Sequence, residues 1–171
     1  FVKEIEEALL SGAADLAVHS MKDLPSELPP GLEILCVPEQ ADPRDMLLVQ
    51  KGTPSLEHLP EGARVGTSSL RRKMALHEIR PDLQILPLRG NIDTRIRRLK
   101  QGDFDAILLA AAGLARLNLT DLPPHAPLRA PDWLPAVAQG ILAIEGRTED
   151  LMTRNLLLPL EHALSRRRAR A

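Results

Sequence analysis

Residues 66–72, Gly-Thr-Ser-Ser-Leu-Arg-Arg, place hydroxyl side chains beside two guanidinium groups. The residues before them, 63–65, are predicted to end a short strand, and a helix is predicted over 70–79. A turn of small residues that leads into a helix leaves backbone N–H groups free, and the helix dipole adds attraction for an anion. Arginine contributes a planar, bidentate contact that suits carboxylate or phosphate. The stretch therefore predicts an anion-binding site.

Other polar residues follow the predicted strands in the same way. They are Lys22 and Asp23, then Arg89 to Asn91, and then Arg116. Because ligands of open α/β sheets bind outside the carboxyl ends of the strands, we expect these groups at one edge, lining an anion cleft. A single arginine after a strand is an ordinary surface group. The prediction of an anion cleft therefore depends on polar, mostly cationic residues following several predicted strands.

The helix predicted over 92–101 separates three arginines by the face on which each lies. A buried stripe begins at Ile92 and recurs at i+4 and i+7. Arg95 lies beside this stripe and is predicted to contact the ligand, whereas Arg97 lies nearly opposite and is predicted to face solvent. For Arg98, an exposed ion pair of small energetic value is favoured.

The pair Lys22-Asp23 allows two interpretations. It is either a salt bridge that closes a turn, or a catalytic carboxylate kept ionised by neighbouring cations. A carboxylate is an odd choice among arginines if the ligand is only an anion. It becomes useful if the ligand carries N–H groups, or if a cation develops during the reaction.

The elements that must position these residues alternate along the chain, which predicts an α/β fold with parallel strands. Two units are expected, the second inserted into the first. The predicted units are 1–40 with 138–156, then 44–132, and finally a linker or start of a third domain over 157–171. The predicted strands are 14–18, 32–37, 45–49, 63–65, 83–88, 105–110 and 141–144, and the predicted helices are 1–12, 70–79, 92–101, 148–158 and the tail 161–171.

Composition narrows the function classes. A net charge of −1 and 2% aromatic residues argue against nucleic-acid binding, and no apolar run is long enough for a membrane span. The one cysteine, Cys36, lies in an apolar strand and is expected in the core, which fits a reducing, cytoplasmic compartment. No His or Cys spacing indicates a metal site, and His19 is expected to be a packed or loop histidine. The basic tail 165–171 is either a polyanion-binding segment or a solvated helix face.

The chain resembles the porphobilinogen deaminase (hydroxymethylbilane synthase) family, and the similar motifs occur in order over nearly the whole chain. They are Phe1-Val2-Lys3-Glu4, Ala17-Val18-His19-Ser20-Met21-Lys22-Asp23, Asp42-Pro43-Arg44-Asp45, Gly66-Thr67-Ser68-Ser69-Leu70-Arg71-Arg72, Leu88-Arg89-Gly90-Asn91, Thr94-Arg95, Ala112-Gly113-Leu114-Ala115-Arg116-Leu117 and Leu134-Pro135-Ala136-Val137.

The resemblance implies a fold and an activity. The fold is two α/β domains like those of periplasmic binding proteins, three-layered with mixed sheets, the first domain being incomplete here. The activity is tetrapyrrole (heme, porphyrin) biosynthesis: a transferase joins four porphobilinogen molecules head to tail, releasing ammonia each time, to give hydroxymethylbilane. The resemblance also implies a cytoplasmic monomer without nucleic-acid or membrane partners.

The resemblance further implies roles for individual residues. Asp23 matches the catalytic aspartate, which contacts pyrrole N–H groups. The positions that match contacts to the dipyrromethane cofactor are Ser20, Lys22, Asp23, Thr67, Ser68, Ser69, Arg71, Arg72, Arg89 and Gly90, and those that match substrate contacts are Arg95, Arg116 and Gln139.

The chain also departs from the family pattern. The cofactor is attached to a cysteine in a third domain, and Cys36 is not at the matching position. We therefore expect a fragment that lacks the N-terminal strands and the cofactor domain, and that is inactive alone. Ala138 replaces a usual glycine, which is expected to stiffen its segment. The alternative function is a non-catalytic, periplasmic-binding-protein-like module for a dicarboxylate, and a weaker one is a polyanion binder that uses the tail.

Overall fold

The computed structural model describes residues 2–170, so the parts of the predictions that fall on Phe1 and Ala171 lie outside the described residues. The chain divides into two compact units. Unit 1 comprises Phe1–Pro43 and Val137–Ala171, and unit 2 comprises Arg44–Ala136. None of the helices in the described part is both long and apolar enough to span a membrane.

The regular elements follow one another along both units. The strands are β1 (Leu16–Ser20), β2 (Leu32–Cys36), β3 (Asp45–Val49), β4 (Arg64–Gly66), β5 (Gln84–Leu86), β6 (Ala106–Ala110), β7 (His125–Pro127) and β8 (Leu142–Arg147). The α-helices are α1 (Val2–Leu10), α2 (Leu70–Ile79), α3 (Ile92–Lys100), α4 (Ala111–Leu117), α5 (Leu151–Leu157) and α6 (Ala163–Arg170). Short 3₁₀ turns occur at Met21–Asp23, Leu56–His58 and Leu158–Leu160.

Unit 2 is a five-stranded mixed sheet between two helical layers, in the order β5-β4-β6-β3-β7. β4 pairs parallel with β5 and β6, while β3 pairs antiparallel with β6 and β7. Alternate residues of β3 and β6 point to opposite faces, as the two-residue period of a strand requires. Leu47 and Leu108 pack on one face with Leu76 of α2, whereas Leu48 and Ile107 pack on the other with α3 and α4.

Unit 1 has a three-stranded sheet in the order β1-β8-β2, in which β8 pairs antiparallel with both neighbours. Leu9 of α1 packs with Ala17 and Leu32 in one core cluster, and Leu157 of α5 packs with Leu35 in another. Each unit thus buries its own apolar side chains, and the predicted three-layer α/β class with mixed sheets is confirmed.

Several predicted elements match the structure, and others differ for physical reasons. The helix over 70–79 and the strand over 45–49 are confirmed. The first strand was placed too early, because β1 extends to Ser20 through its pairing with β8. β7 was missed in a proline-rich segment, where pairing with β3 makes a strand that local sequence does not favour.

The tail, predicted as a linker or the start of a third domain, makes hydrogen bonds to unit 1. His162 N donates to Val37 O (2.9 Å), and Gln40 N donates to the buried Ser165 Oγ (2.8 Å). The guanidinium of Arg166 donates to the carbonyl oxygens of Ile34 (3.0 Å) and Leu35 (2.9 Å). Residues 161–168 therefore pack on unit 1, because their polar groups satisfy backbone groups next to β2.

Candidate functional site

The turn after β4 is held by hydrogen bonds to the segment that follows β5. Thr67 N donates to Leu86 O (2.9 Å), and Ser68 Oγ lies 3.1 Å from both the N and the O of Leu88. A Cβ on Gly66 would lie 2.9 Å from side-chain atoms of both Leu88 and Phe104, so only glycine fits at this position. Parallel pairing thus brings the carboxyl ends of β4 and β5 together, as predicted.

The three hydroxyls differ in how accessible they are. Ser69 caps α2 by accepting from Arg72 N (3.4 Å), and Thr67 Oγ1 accepts from Ser69 N (3.2 Å). Thr67 is buried, Ser69 is half-buried and Ser68 is exposed. Thr67 therefore shapes the turn from inside, and Ser68 and Ser69 are the hydroxyls that a ligand can reach.

Arg71 and Arg72 are anchored to a carboxylate that lies at the start of β3. Arg71 Nη2 and Arg72 Nη2 each lie 2.7 Å from an oxygen of Asp45, and Trp133 Nε1 donates to Asp45 Oδ2 (2.8 Å). Arg71 also donates to Leu134 O. The sequence predicted two guanidiniums presented at the strand end. Instead, both guanidiniums form ion pairs with the buried Asp45, and Arg72 is only 7% exposed.

Burial and hydrogen bonding act in opposite directions on Asp45. Burial alone would raise its pKa, but the hydrogen bond and charge of Arg72, together with hydrogen bonds from Trp133 and Arg71, lower the pKa to about 2. Arg72 Nε is buried and has no hydrogen-bond partner among residues 2–170. Direct contact of Arg71 and Arg72 with a ligand stays a prediction, since their positions show a structural role.

Arg95, Arg89 and Gly90 lie around the start of α3. Arg95 Nε donates to Gly90 O (2.7 Å), and Gly90 has φ +108°, which favours glycine. Burial, followed by the charge of nearby Arg72, lowers the pKa of Arg95. Arg95 is half-buried and Arg89 is exposed. The positive charges of this region are therefore concentrated near the carboxyl ends of β4 and β5.

Three further arginines of unit 2 had predicted positions, two of them from the face of the helix on which they lie. Arg97 is exposed, and Arg98 forms an ion pair with Asp103 (2.8 Å) and stacks over Phe104, so both predictions are confirmed. Arg116 was expected directly after a strand. It lies instead in the last turn of α4, because residues 111–117 are helical. Its predicted substrate contact is not tested by this placement.

Unit 1 carries the other predicted residues on the turn that follows β1. Ser20 is the last residue of β1 and is half-buried, and Lys22 and Asp23 are exposed in the 3₁₀ turn. Met21 N donates to Ile141 O (3.0 Å), which fixes the turn against the start of the β8 segment. Since β1 belongs to a different sheet from β4, β5 and β6, the prediction of one shared sheet edge for all four positions is wrong.

Gln139, a predicted substrate contact, is buried in unit 1. Its Oε1 accepts from Lys22 Nζ (3.3 Å), and its Nε2 donates to Pro43 O (2.6 Å). With 1% of its surface exposed, Gln139 holds Lys22 and residue 43 in this structure, and its predicted substrate contact is not tested by this placement.

Two left-handed residues turn the chain on either side of Gln139. A Cβ on Gly140 (φ +84°) would lie 2.4 Å from Ala41 O, so glycine is required there. Ala138 has φ +57°, a conformation that costs an L-residue about 1 kcal/mol. The glycine that Ala138 replaces in the related pattern would adopt this conformation without strain.

Two buried groups of unit 1 carry predictions: Cys36 was expected in the core, and His19 was expected to be a packed or loop histidine. Cys36 is 1% exposed, as predicted, and burial followed by the charge of Glu161 raises the pKa of its thiol. His19 is also packed and lies 2.9 Å (Nε2) from Glu145 Oε2 on β8. Burial raises the pKa of Glu145 against the opposing effect of His19, and Glu145 Oε1 has no partner in the described part of the chain.

A family model described as "Porphobilinogen deaminase, dipyromethane cofactor binding domain" matches residues 1–155. The chain belongs to the porphobilinogen deaminase family. A porphobilinogen deaminase of Nitratidesulfovibrio vulgaris (strain DP4) is 57% identical over 171 residues, covering 100% of this chain and 54% of that protein. One from Roseiflexus castenholzii is 54% identical over 167 residues, covering 97% and 54%. The chain thus spans about half the length of the curated relatives it matches.

Solved structures outside the porphobilinogen deaminase family show the same fold. The Bordetella pertussis BvgS periplasmic VFT2 domain has a TM-score of 0.52 at 16% identity, covering 98% of this chain and 69% of that one. A periplasmic binding protein from Brucella ovis, with glutathione bound, has a TM-score of 0.54 at 16% identity, covering 91% and 49%. At such low identity the likeness concerns the fold alone.

Sequence reasoning missed three residues that the structure places at or beneath the site. Asp45 is the single charge at the start of an otherwise apolar strand, and Trp133 is the one tryptophan. Lys73 directly follows Arg72 and lines a surface cavity with Arg89. Within residues 2–170, no group of three or more His, Cys, Asp or Glu side chains could hold a metal ion.

Proposed function

We propose that the full-length protein carrying this chain is a hydroxymethylbilane synthase, the transferase that condenses four porphobilinogen molecules head to tail with loss of ammonia. Membership of the porphobilinogen deaminase family supports this proposal. The observation that carries it is the set of cationic and hydroxyl side chains at the carboxyl ends of β4 and β5. Arg89 and Arg95 lie there with Ser68 and Ser69.

The charge of this region suits the proposed ligands. Each porphobilinogen unit carries an acetate and a propionate, so a growing chain of pyrroles is a polyanion. Within unit 2, the terminal nitrogens of Arg95 have no hydrogen-bond partner, and Arg89 takes part in no ion pair. A guanidinium without a protein carboxylate is available for a ligand carboxylate, which it can bind bidentately.

The residues present fit the dipyromethane cofactor that the family description names. Ser68, Ser69 and Arg89 can be reached by a ligand, and the buried Arg72 Nε lacks a partner. The group would be held by the side chains and turns of Ser20, Lys22, Asp23, Thr67, Ser68, Ser69, Arg71, Arg72, Arg89 and Gly90. When bound, the cofactor supplies the pyrrole carbon to which the first substrate is joined. Its attachment site is proposed to be a cysteine other than Cys36, which is buried with a raised pKa.

Asp23 is the proposed catalytic residue. Its carboxylate is exposed at the end of the 3₁₀ turn, where it can accept hydrogen bonds from pyrrole N–H groups. As ammonia leaves the substrate, positive charge develops on the remaining pyrrole, and a carboxylate placed beside it lowers the energy of that state. Lys22, held by Gln139, and the hydrogen bond from Met21 to Ile141 keep the turn in position.

Arg95 and Arg116 are the proposed contacts to substrate carboxylates, and we further propose that the protein is a cytoplasmic monomer. The free, buried Cys36 supports a reducing compartment. The alternative, a non-catalytic dicarboxylate-binding module, is less well supported, because such a module has no use for an exposed carboxylate at Asp23.

The proposed function is tested first on the purified full-length protein. Incubation with porphobilinogen should consume substrate and release ammonia, and the purified protein itself should give a colour with an acidic aldehyde reagent that is specific for pyrroles. The intact mass should exceed the polypeptide mass by that of a dipyrrole. Absence of both turnover and the mass increment would refute the enzyme and favour the binding module.

The role of Asp23 is tested by Asp23→Asn, with Glu27→Gln as the matched control on a nearby exposed carboxylate. Asp23→Asn should lower turnover by at least about a hundredfold while melting as wild type, because electrostatic stabilisation of this kind is worth that much. Glu27→Gln should retain turnover. If Asp23→Asn keeps near-normal turnover, Asp23 is not the catalytic carboxylate.

A further inference from the structure

A cavity of about 270 Å³ opens in unit 2 beside the start of α2. Hydroxyl side chains of residues 67–69 line one part of it, and Ile85 and Pro87 form an apolar wall. Two cations, Lys73 and Arg89, complete the lining. Lys73 is not one of the residues to which the family resemblance gives a binding role.

The ionisable groups of this cavity are all of one sign. Lys73 and Arg89 line it, and no acidic side chain does. Elsewhere in unit 2, cations such as Arg80 and Lys100 are matched by nearby aspartates at 2.7 and 2.6 Å. In the described part of unit 2, no carboxylate lies within ion-pair distance of Lys73 or Arg89. The positive charges of Lys73 and Arg89 are therefore not neutralised by the protein within unit 2, and an anion bound in the cavity would balance them.

The other residues that line the cavity provide a hydrogen-bond donor and an apolar surface. Ser69, whose Oγ accepts from Arg72 N, can donate its hydroxyl proton to a carboxylate oxygen, and the apolar wall can contact the flat face of a ring. Such a combination matches a small aromatic ring that carries two carboxylates.

We propose that Lys73 determines specificity, its ammonium binding one carboxylate of a pyrrole dicarboxylate in the same cavity as Arg89. This assignment rests on the proposed function for the class of ligand. Lys73 lies three residues after the first residue of α2, close to one helical turn along, and is exposed, so its substitution should leave the fold intact.

The test uses a pyrrole that carries the acetate and propionate of porphobilinogen but a methyl group in place of the aminomethyl group. It can bind but cannot lose ammonia. Calorimetric titration of the full-length protein, prepared without its dipyrrole so that the cavity is open, should show at low salt that Lys73→Gln weakens its affinity about five- to tenfold. Lys73→Arg should stay within about twofold of wild type, because it restores the charge. Lys51→Gln, which removes an exposed lysine outside the cavity, should bind as wild type.

A second measurement identifies the carboxylate. Replacing one carboxylate of the analogue by a carboxamide should weaken binding to wild type more than to Lys73→Gln, for either the acetate or the propionate. Unchanged affinity in Lys73→Gln, an equal loss in Lys51→Gln, or failure of the wild type to bind the analogue would overturn the assignment. The proposed function is tested separately, by the turnover of porphobilinogen by the wild type, so either proposal can fail without the other.

Discussion

At the scale of single residues, Asp45 organises the arginines that follow β4. It is fully buried, and it accepts hydrogen bonds from Arg71, Arg72 and Trp133. Breaking a buried ion pair by removing one partner leaves the other charge uncompensated, which costs more than the pair itself contributes. The guanidinium of Arg72 therefore depends on Asp45 for its position.

Asp45→Asn should lower the free energy of unfolding by about 3–5 kcal/mol near pH 6. Because the folded pKa of Asp45 is depressed from 3.8 to about 2, its contribution is complete above about pH 4 and is lost as the pH falls through about 2. Urea unfolding of wild type and variant should thus differ most near pH 6 and converge near pH 2.

The control for Asp45→Asn is Asp103→Asn, which removes an exposed partner of Arg98. Surface ion pairs of this kind contribute about 1 kcal/mol or less, so the control should differ little from wild type at any pH. A cost for Asp45→Asn that does not change between pH 6 and pH 2 would show that charge is not the cause.

At the scale of elements, Arg166 makes several of the hydrogen bonds that join α6 to unit 1. Arg166 donates to the carbonyl oxygens of Ile34 and Leu35, and its guanidinium pairs with Glu161 (2.8 Å). Arg167 and Arg170 are exposed. The tail is thus neither wholly a solvated face nor wholly a free basic segment.

Arg166→Ala should destabilise unit 1 by about 2 kcal/mol and speed amide hydrogen exchange in 163–170, because half-buried hydrogen bonds from a charged group to carbonyl oxygens are lost. Arg167→Ala is the matched control and should change stability by less than about 0.5 kcal/mol. Equal protection of α6 in the two variants would contradict the role assigned to Arg166.

At the scale of the whole molecule, the two units have separate apolar cores. The clusters that contain Leu108 and Leu48 lie in unit 2, and those that contain Leu9 and Leu35 lie in unit 1. No core cluster among the described residues draws side chains from both units. Each unit therefore derives its hydrophobic stabilisation from its own sheet and helices.

Leu108→Ala should lower the stability of unit 2 by about 2–5 kcal/mol, because it leaves a cavity at a site that is 1% exposed. Native-state hydrogen exchange should show faster exchange at the core amides of unit 2 and little change in unit 1. Leu9→Ala should give the reverse pattern. Equal acceleration in both units for either variant would show that they unfold as one.

Much of this architecture was predictable because the signals are local. The helix over 70–79, the buried stripe of α3, the apolar strand at 45–49 and the motif at 66–72 are readable in consecutive residues. Local patterns also placed Cys36 in the core and Arg97 and Arg98 on the surface.

The sequence by itself determined the α/β class, the family resemblance and the residue types available for binding an anion, since these depend on periodicity and on motifs within short stretches. Only the tertiary structure showed that Asp45 holds Arg71 and Arg72, that Gln139 is buried against Lys22, and that β1 and β4 belong to different sheets. Those facts join residues far apart along the chain, and the partner of a buried charge is decided by which strands and helices pack together.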